Sequence, residues 1–481
     1  MTRILHHPIL NFIKGNMVTF YYNGNKMKGF ENEPIAAALH ANGIRMLHES
    51  AVKHRPRGLF CAIGNCSSCL MRVNGIPNVR VCVEPLKEGM YVESQNKRVK
   101  PVETNKWKNE SISGNKNVQT DILIVGGGPA GMCAAIEAAN FGKRVLLVDR
   151  NSKLGGQLIK QTHKFFGSEK QKAGTRGITI AQNIQEEINS NSYITIWRDT
   201  TAIGYYHDGI MLVETRDTLV SVKAEAIIIA TGASEKNLVF PNNDLPGICG
   251  AGAVQTLMNM EGILPGDNIL MVGAGNIGLI VSYQLLQAGV NVVAVIEATS
   301  KIGGYEVHAA KLRRAGVPIF TGYTVKYAYG DNTLQGAVIC ALDKNWKQIP
   351  GTEKNIKADV MCMAVGLSPL TELFFQAGCM IKYIPELGGY VPAIDAYRRT
   401  NVKGIYAAGD ASGIEEASSA MLTGHMAALS AVNDMQPFSD FLEKYQNYSE
   451  QLLMLRSGGN GSKILSGIKR LRQEEGVNYE K

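Results

Sequence analysis

A chain of 481 residues exceeds what one hydrophobic core organises, so two to four domains are expected. Its composition, 45% hydrophobic and 19% charged, is that of an ordinary globular protein and excludes a disordered or fibrous chain. The net charge of +8 is unevenly placed, because residues 1–117 hold 17 Lys and Arg against 8 Glu and no Asp, a net of +9. No nucleic-acid module accompanies that basic excess, so a nucleic-acid partner is not expected.

The opening segment, Met1 to Asn11, has no apolar run followed by a small-residue cleavage site, and a cytoplasmic location is the expectation. Alternation predicts strands over Met17 to Tyr22 and Lys26 to Phe30, then a helix from Pro34 to Asn42, where proline suits the first turn. The run "CAIGNCSSCLMRVNGIPNVRVC" places Cys61, Cys66, Cys69 and Cys82 at C-x4-C-x2-C…C spacing, that of plant-type 2Fe-2S proteins. Zinc is the alternative, but it usually takes paired C-x2-C knuckles and only one is present. Gly64 relieves crowding where the loop turns toward sulfur. The basic excess is suited to offset an anionic cluster bound by four thiolates. His54, Arg55 and Arg57 flank the motif, as a solvated loop or as charges that raise the cluster's potential. The remaining five cysteines stand singly among apolar neighbours, as buried core thiols do.

Residues 1–95 therefore read as an α+β ferredoxin-like 2Fe-2S domain, and the polar stretch 96–117 as a linker. From Thr120 the texture becomes strand, glycine turn, Ala-rich helix, strand. Gly126, Gly128 and Gly131 fit G-x-G-x-x-G around Pro129 and Ala130. Asp149, 21 residues after Gly128, ends the next strand before Arg150, placed to bond a ribose hydroxyl. The same grammar returns at Gly273, Gly275, Asn276 and Gly278, followed by Glu297, 22 residues after Gly275. An acid there repels a 2′-phosphate, so NAD or another unphosphorylated adenosine ligand is expected, an exclusion that nearby Lys301 weakens slightly.

The uncharged stretch from Ile269 to Ile296 has the length of a membrane span, but its glycine spacing marks a buried strand, helix, strand unit, and no integral membrane segment is expected. The runs "AEAIIIATG" (224–232) and "ADVMCMAVG" (358–366) each end in a glycine turn, as if the chain leaves one domain and returns. The expected division is 118–240 with 356–435 as one dinucleotide domain, 241–355 as a second inserted in it, and 436–481 as a helical tail. In that tail a helical run from Phe438 to Arg456 gives way to a flexible "SGGNGS". A last helix follows, with Ile464, Leu465, Ile468 and Leu471 on the face that packs on its own domain.

The early GGGPAG, the "ATGAS" at 230–234, the second glycine motif and the late "IYAAGDAS" at 405–412 resemble the two-dinucleotide-domain flavoprotein disulfide reductases. The fold class implied is α/β, two Rossmann-like domains preceded by the ferredoxin-like one. The resemblance implies FAD on the first glycine motif, with Gly156, Gln157, Thr231, Gly232, Gly409 and Asp410 as further contacts and Asp410 on the ribityl chain. It implies a nicotinamide nucleotide in the inserted domain. The redox disulfide of that superfamily is missing: "LGGQLIKQTHKFFG" (154–167) has no cysteine and Cys249 lacks a C-x-x-C partner, so dithiol chemistry is not expected.

Over nearly the whole chain, "HPIL", "PRGLFCAIGNCSSC", "GIPNVRVC", "LGGQ" and "LPGICGAGAVQTLMN" resemble the α subunits of hetero-oligomeric amine and amino-acid dehydrogenases: opine oxidases, hydrogen cyanide synthase, dye-linked proline and hydroxyproline dehydrogenases and heteromeric sarcosine oxidase. This implies a flavin-bearing β subunit that oxidises the C–N bond while the α subunit relays electrons among FAD, the 2Fe-2S cluster and the partner flavin. Several such subunits continue past the position of Met435 into a second cysteine-rich domain, whereas no cysteine follows Cys379 here. Either a small cysteine-rich iron–sulfur subunit supplies that cluster or the relay is shorter. The same motifs permit a self-sufficient NADH-dependent reductase, or a structural subunit braced by ATP or ADP at the second site. No catalytic residue is assigned; Arg176, Arg398 and Arg399 are the candidates to clamp a substrate carboxylate, though isolated arginines are more often surface residues.

Overall fold

The structure, a computed structural model, describes residues 2–96, 116–164, 169–216 and 218–473. The expected linker falls almost wholly outside them. The described residues of 1–102 and 235–366 form one compact unit, and those of 103–234 and 367–481 a second.

The first unit opens with β1 (Met17–Tyr22) and β2 (Asn25–Phe30), α1 (Ile35–Ala41), β3 (Leu70–Val73), β4 (Ile76–Arg80) and β5 (Tyr91–Ser94), in a sheet of order β2-β1-β5-β3-β4. Two hairpins close through Asn23-Gly24 and Asn74-Gly75, all four residues at positive φ, the two-residue turn that matches strand twist. Phe20, Ile35, Leu39, Met71 and Leu86 fill the core between α1 and the sheet.

The chain then enters the second unit through β6 (Lys116–Val125), α2 (Pro129–Asn140), β7 (Val145–Val148), α3 (Gly177–Ser190), β8 (Ile194–Trp197), β9 (Thr201–Tyr205), β10 (Ile210–Glu214) and β11 (Leu219–Ile229). The sheet order is β8-β7-β6-β11-β10-β9, with β6, β7, β8 and β11 parallel. Along β6, Ile122 and Ile124 pack into the core beneath α2 while Leu123 and Val125 pack into the opposite one. This is the period-2 alternation of a strand covered on both faces, and it explains the unbroken apolar run.

Returning to the first unit, β12 (Ile248–Gly250), β13 (Asn268–Val272), α4 (Asn276–Gln287), β14 (Asn291–Glu297), β15 (Ile319–Thr321) and β16 (Val360–Met363) build a parallel sheet of order β12-β16-β13-β14-β15. Ile269 and Met271 face one core, Leu270 and Val272 the other. The uncharged stretch is thus β13, α4 and β14, and no helix among the described residues is long and apolar enough to cross a membrane.

The second unit is completed by β17 (Ile405–Ala407), parallel to β11, and by α5 (Ala417–Met435), α6 (Phe441–Leu455) and α7 (Gly459–Gln473). The expectation of a flexible spacer at "SGGNGS" is corrected, since α7 already begins at Gly459. Gly461 lies so close to the Arg456 carbonyl that any Cβ would collide with it, so glycine serves close packing there. Leu471 is buried and Ile464 and Ile468 pack beside it, as the tail pattern predicts.

Candidate cofactor sites

The first glycine turn joins β6 to α2. Gly126 has φ +110°, and a Cβ on it would strike the Ala230 carbonyl; a Cβ on Gly131 would strike Gly126. Both glycines exist for close backbone approach. Gly128 differs: it is extended, and a Cβ there would meet nothing within 4 Å, so its face is open above the first N–H groups of α2. An open helix N-terminus of this kind receives a pyrophosphate. Pro129 occupies the first helical position and Ala130 is buried.

Several other expected residues converge on this turn. Asp149 Oδ2 accepts the Gly127 N–H at 2.6 Å and Oδ1 accepts the Asn151 N–H at 2.7 Å; burial raises its pKa against those bonds. Gly156, at φ +53°, faces the turn so closely that a Cβ on it would lie 3.0 Å from the Gly128 Cα, tighter than ordinary contact. Gly409, at φ +63°, places its built Cβ 2.8 Å from the Ala130 Cβ, and its N–H donates to Thr423 Oγ1 at 3.0 Å. Thr231 Oγ1 donates to the Leu370 carbonyl at 2.9 Å, and Gly232 has φ +76° over open space. Arg150 and Gln157 are exposed.

Asp410 supplies the test of fit. It is partly buried and accepts one N–H, from Glu415, at 3.2 Å; desolvation, with Glu415 nearby, pushes its pKa up to about 7. A partly buried carboxyl holding one hydrogen bond keeps acceptor positions open to a polar partner. The hydroxyls of a ribityl chain are such partners, so these residues fit FAD.

The second turn reproduces the first. Gly273, at φ +106°, lies against the Ala364 carbonyl, Gly278 against Gly273, and Gly275 is open with nothing within 4 Å of a Cβ. Glu297 Oε2 accepts the Ala274 N–H at 2.8 Å, and Oε1 accepts the Thr299 N–H and hydroxyl, each at 3.0 Å. Asn276 Oδ1 accepts the Tyr305 N–H at 2.9 Å. Lys301 is exposed.

In the cysteine loop the thiols meet as a chain: Cys66 bonds Cys61, Cys61 bonds Cys82, and Cys82 bonds Cys69. Those bonds hold Cys61 and Cys69 below the ordinary thiol range and push Cys66 and Cys82 above it. Four thiols brought together in one loop have the soft donor chemistry of an iron–sulfur cluster. Gly64 (φ +70°) and Ala62 (φ +50°) supply the left-handed turns that wrap the loop, and Cys66 is the least buried of the four.

Of the flanking basic residues, His54 is exposed, as a solvated loop implies, while the two arginines are engaged elsewhere in the fold. Arg55 and Arg57 both clamp Asp244, at 2.5 Å each, and Arg45 pairs with Asp359 at 2.9 Å. The ferredoxin-like module is thereby tied to the nucleotide sheet of the same unit, aided by Gly250 N–H donating to the Phe60 carbonyl at 2.9 Å. Asp244 lies 187 residues from Arg57, beyond the reach of any local pattern.

The fold and the paired glycine turns have counterparts. The family model described as pyridine nucleotide-disulphide oxidoreductase matches residues 120–424. The chain belongs to that family. A model of the 2Fe-2S iron–sulfur cluster binding domain matches residues 15–97 in addition, and the chain is an FAD-type oxidoreductase with an iron–sulfur domain ahead of the family region. It is 28% identical to the alpha subunit of sarcosine oxidase from Corynebacterium sp. (strain U-96), over 85% of this chain and 42% of that one. It is also 28% identical to an opine oxidase subunit from Agrobacterium tumefaciens (strain Ach5), over 66% of each. The chain thus spans less than half the length of the sarcosine oxidase relative. Among solved structures, L-proline dehydrogenase from P. horikoshii superposes with a TM-score of 0.70 at 23% identity, over 93% of this chain and 79% of that one, and shares its fold.

Cys249 has no C-x-x-C partner in sequence, and in space its register partner on the neighbouring strand is Cys362, also a free thiol. Sequence reasoning also missed a buried group in the second unit. His425 Nδ1 meets Glu137 Oε2 at 2.7 Å, Tyr448 donates to that oxygen at 2.8 Å, and His425 also bonds Cys133. The signal was present as charge inside apolar helices: Glu137 in α2 and His425 in α5.

Proposed function

We propose that this chain is the electron-transferring α subunit of a flavin-dependent amine or amino-acid dehydrogenase, of the proline, hydroxyproline, sarcosine or opine type, whose flavin-bearing β partner oxidises the substrate. The observation that carries the reading is the pairing of a flavin-type unit with a four-thiol cluster loop in a chain whose candidate substrate arginines are otherwise engaged. Arg399 binds Asp434 at 2.6 Å and Asp395 at 3.3 Å; Arg398 is buried on the Ala407 carbonyl and Ser412; Arg176 donates to the Thr162 carbonyl. None of the three is presented to a substrate carboxylate by these contacts.

When bound, FAD supplies the exchange between two-electron and one-electron transfer, and the 2Fe-2S cluster a single-electron relay. The chain's own groups hold and tune. Gly128 and the open N–H groups of α2 receive a pyrophosphate, and Asp149 fixes the turn while keeping acceptor capacity for a ribose hydroxyl. Asp410 would hold the ribityl hydroxyls when the flavin is bound. Cys61, Cys66, Cys69 and Cys82 hold the cluster. At the second turn Gly275 and Glu297 favour an unphosphorylated adenosine ribose, and NAD is the ligand proposed there, with ATP or ADP the structural alternative. A small cysteine-rich subunit is the further partner proposed.

The test is anaerobic dye reduction with proline, hydroxyproline, sarcosine and opines, first by the purified chain and then with its co-purifying partners. Turnover is expected only with a flavin-bearing partner; substantial turnover by the chain alone overturns the proposal. Bleaching of the flavin by NADH without any partner would instead support the self-sufficient reductase.

A further inference from the structure

Cys249 on β12 and Cys362 on β16 are register partners on neighbouring parallel strands. Register partners leave a sheet on the same face, with their backbones about 4.8 Å apart. That separation lies inside the ~4.4–6.8 Å Cα span of disulfides. The two thiols hydrogen-bond each other. Cys362 is 0% exposed and Cys249 6%, so the pair is approached through Cys249.

A carboxylate completes the group. Glu235 acts on the charge of Cys362, accepts the Gly252 N–H at 2.6 Å, and lies so close to Gly250 that a Cβ there would collide with it. Burial first, then the bond to Cys249 and the nearby Glu235, push the Cys362 thiol well above its ordinary value. The surroundings are those of two cofactor loops. Ala62 of the cysteine loop shares the core with Cys249 and Cys362, and Ala364, two residues past Cys362, covers Gly273 of the second glycine turn. A buried thiol alone is an ordinary small hydrophobe. Core packing does not require two at one register position beside a carboxylate.

We propose that Cys249 and Cys362 form a dithiol–disulfide site whose oxidant is hydrogen peroxide. The Cys249 sulfur attacks one peroxide oxygen, the O–O bond breaks, and the departing hydroxide leaves as water with the thiol proton. Cys249 is then a sulfenic acid. The Cys362 sulfur attacks the Cys249 sulfur, the S–S bond forms and the S–O bond breaks. The second hydroxide leaves as water with the Cys362 proton, which Glu235 relays. Two thiols have lost two electrons and one peroxide has gained them as two waters. Cys362 is the resolving thiol that keeps the sulfenic acid from further oxidation.

The experiment exposes the full-length, cofactor-loaded chain to one equivalent of hydrogen peroxide, quenches it in acid, alkylates free thiols after unfolding and maps unreduced peptides by mass spectrometry. The expected product joins the Cys249 and Cys362 peptides and is cleaved by dithiothreitol. In a Cys362→Ser chain Cys249 is expected as a sulfenic acid trapped by dimedone; in a Cys249→Ser chain Cys362 is expected fully alkylated. The wild-type map decides the matter even if a variant fails to fold. Recovery of both cysteines alkylated after ten equivalents of peroxide, or of Cys249 joined to any other cysteine, overturns the proposal.

Discussion

Replacing Glu137 with Gln tests whether the buried group between α2 and α5 holds the flavin-type unit together. Glu137 Oε2 receives both His425, at 2.7 Å, and the Tyr448 hydroxyl, at 2.8 Å, and the imidazole stacks on the Tyr448 ring at 4.8 Å with 10° between planes. Burial opposes a charge on His425, yet Cys133 first, by charge and hydrogen bond, and then Glu137, by hydrogen bond and charge, prevail and push its pKa from 6.5 up to about 10. Removing one partner of a buried ion pair costs about 3–5 kcal/mol. For a unit of this size that lowers Tm by roughly 6–20 °C, at about 2–4 °C per kcal/mol. The pH dependence is the sharper readout. The unfolded imidazole releases its proton near pH 6.5 and the folded one near 10, so the stabilisation is complete below pH 6.5, declines across 6.5–10, and is lost above 10. Calorimetry of the FAD-loaded chain at pH 6, 8 and 10.5 is therefore expected to show the Glu137→Gln deficit at pH 6, a smaller one at 8 and almost none at 10.5. An equal deficit at all three values refutes the ionic account and leaves only packing; no deficit at pH 6 refutes both.

Three further outcomes follow from the cofactor sites. Gly128→Ala is expected to fold as the wild type, since its Cβ meets no protein atom within 4 Å, and yet to lose FAD by at least tenfold in dissociation constant; flavin retention after gel filtration at wild-type levels contradicts the assignment of that open face. Cys66→Ser is expected to abolish the low-temperature EPR signal of the reduced cluster while flavin absorbance persists, because the thiols and Asp410 belong to different compact units; loss of both shows the two sites depend on each other. Glu297→Ala is expected to narrow the preference for NADH over NADPH by roughly tenfold or more, the loss of a charged hydrogen bond and of repulsion toward a 2′-phosphate, and equal binding of the two by the unaltered chain contradicts the role given to Glu297.

Much of the fold was legible because its signals are local. Alternation and glycine spacing located β6, α2, β13, α4 and β14, and alternation located the first ferredoxin-like hairpin. The four cluster cysteines were legible for the same reason, all lying within 22 residues. Pairings made across long separations were not: Arg57 with Asp244, Glu137 with His425, and Cys249 with Cys362. "SGGNGS" misled because a glycine needed for close approach and one needed for freedom look alike until the neighbouring backbone is seen.

The position of Asp244 changes what the N-terminal charge means. Along the sequence, the basic excess is a field around an anionic cluster; in the fold, Arg45, Arg55 and Arg57 are held by Asp359 and Asp244 of the nucleotide sheet. Three guanidiniums held by two carboxylates at 2.5–2.9 Å keep a net charge of +1, so the pairing weakens their field on anything farther away without abolishing it. They also act mechanically, tying the segment just before the cysteine loop to the part of the same compact unit that bears Gly273 and Cys362, and so fixing the separation between that loop and the second glycine turn.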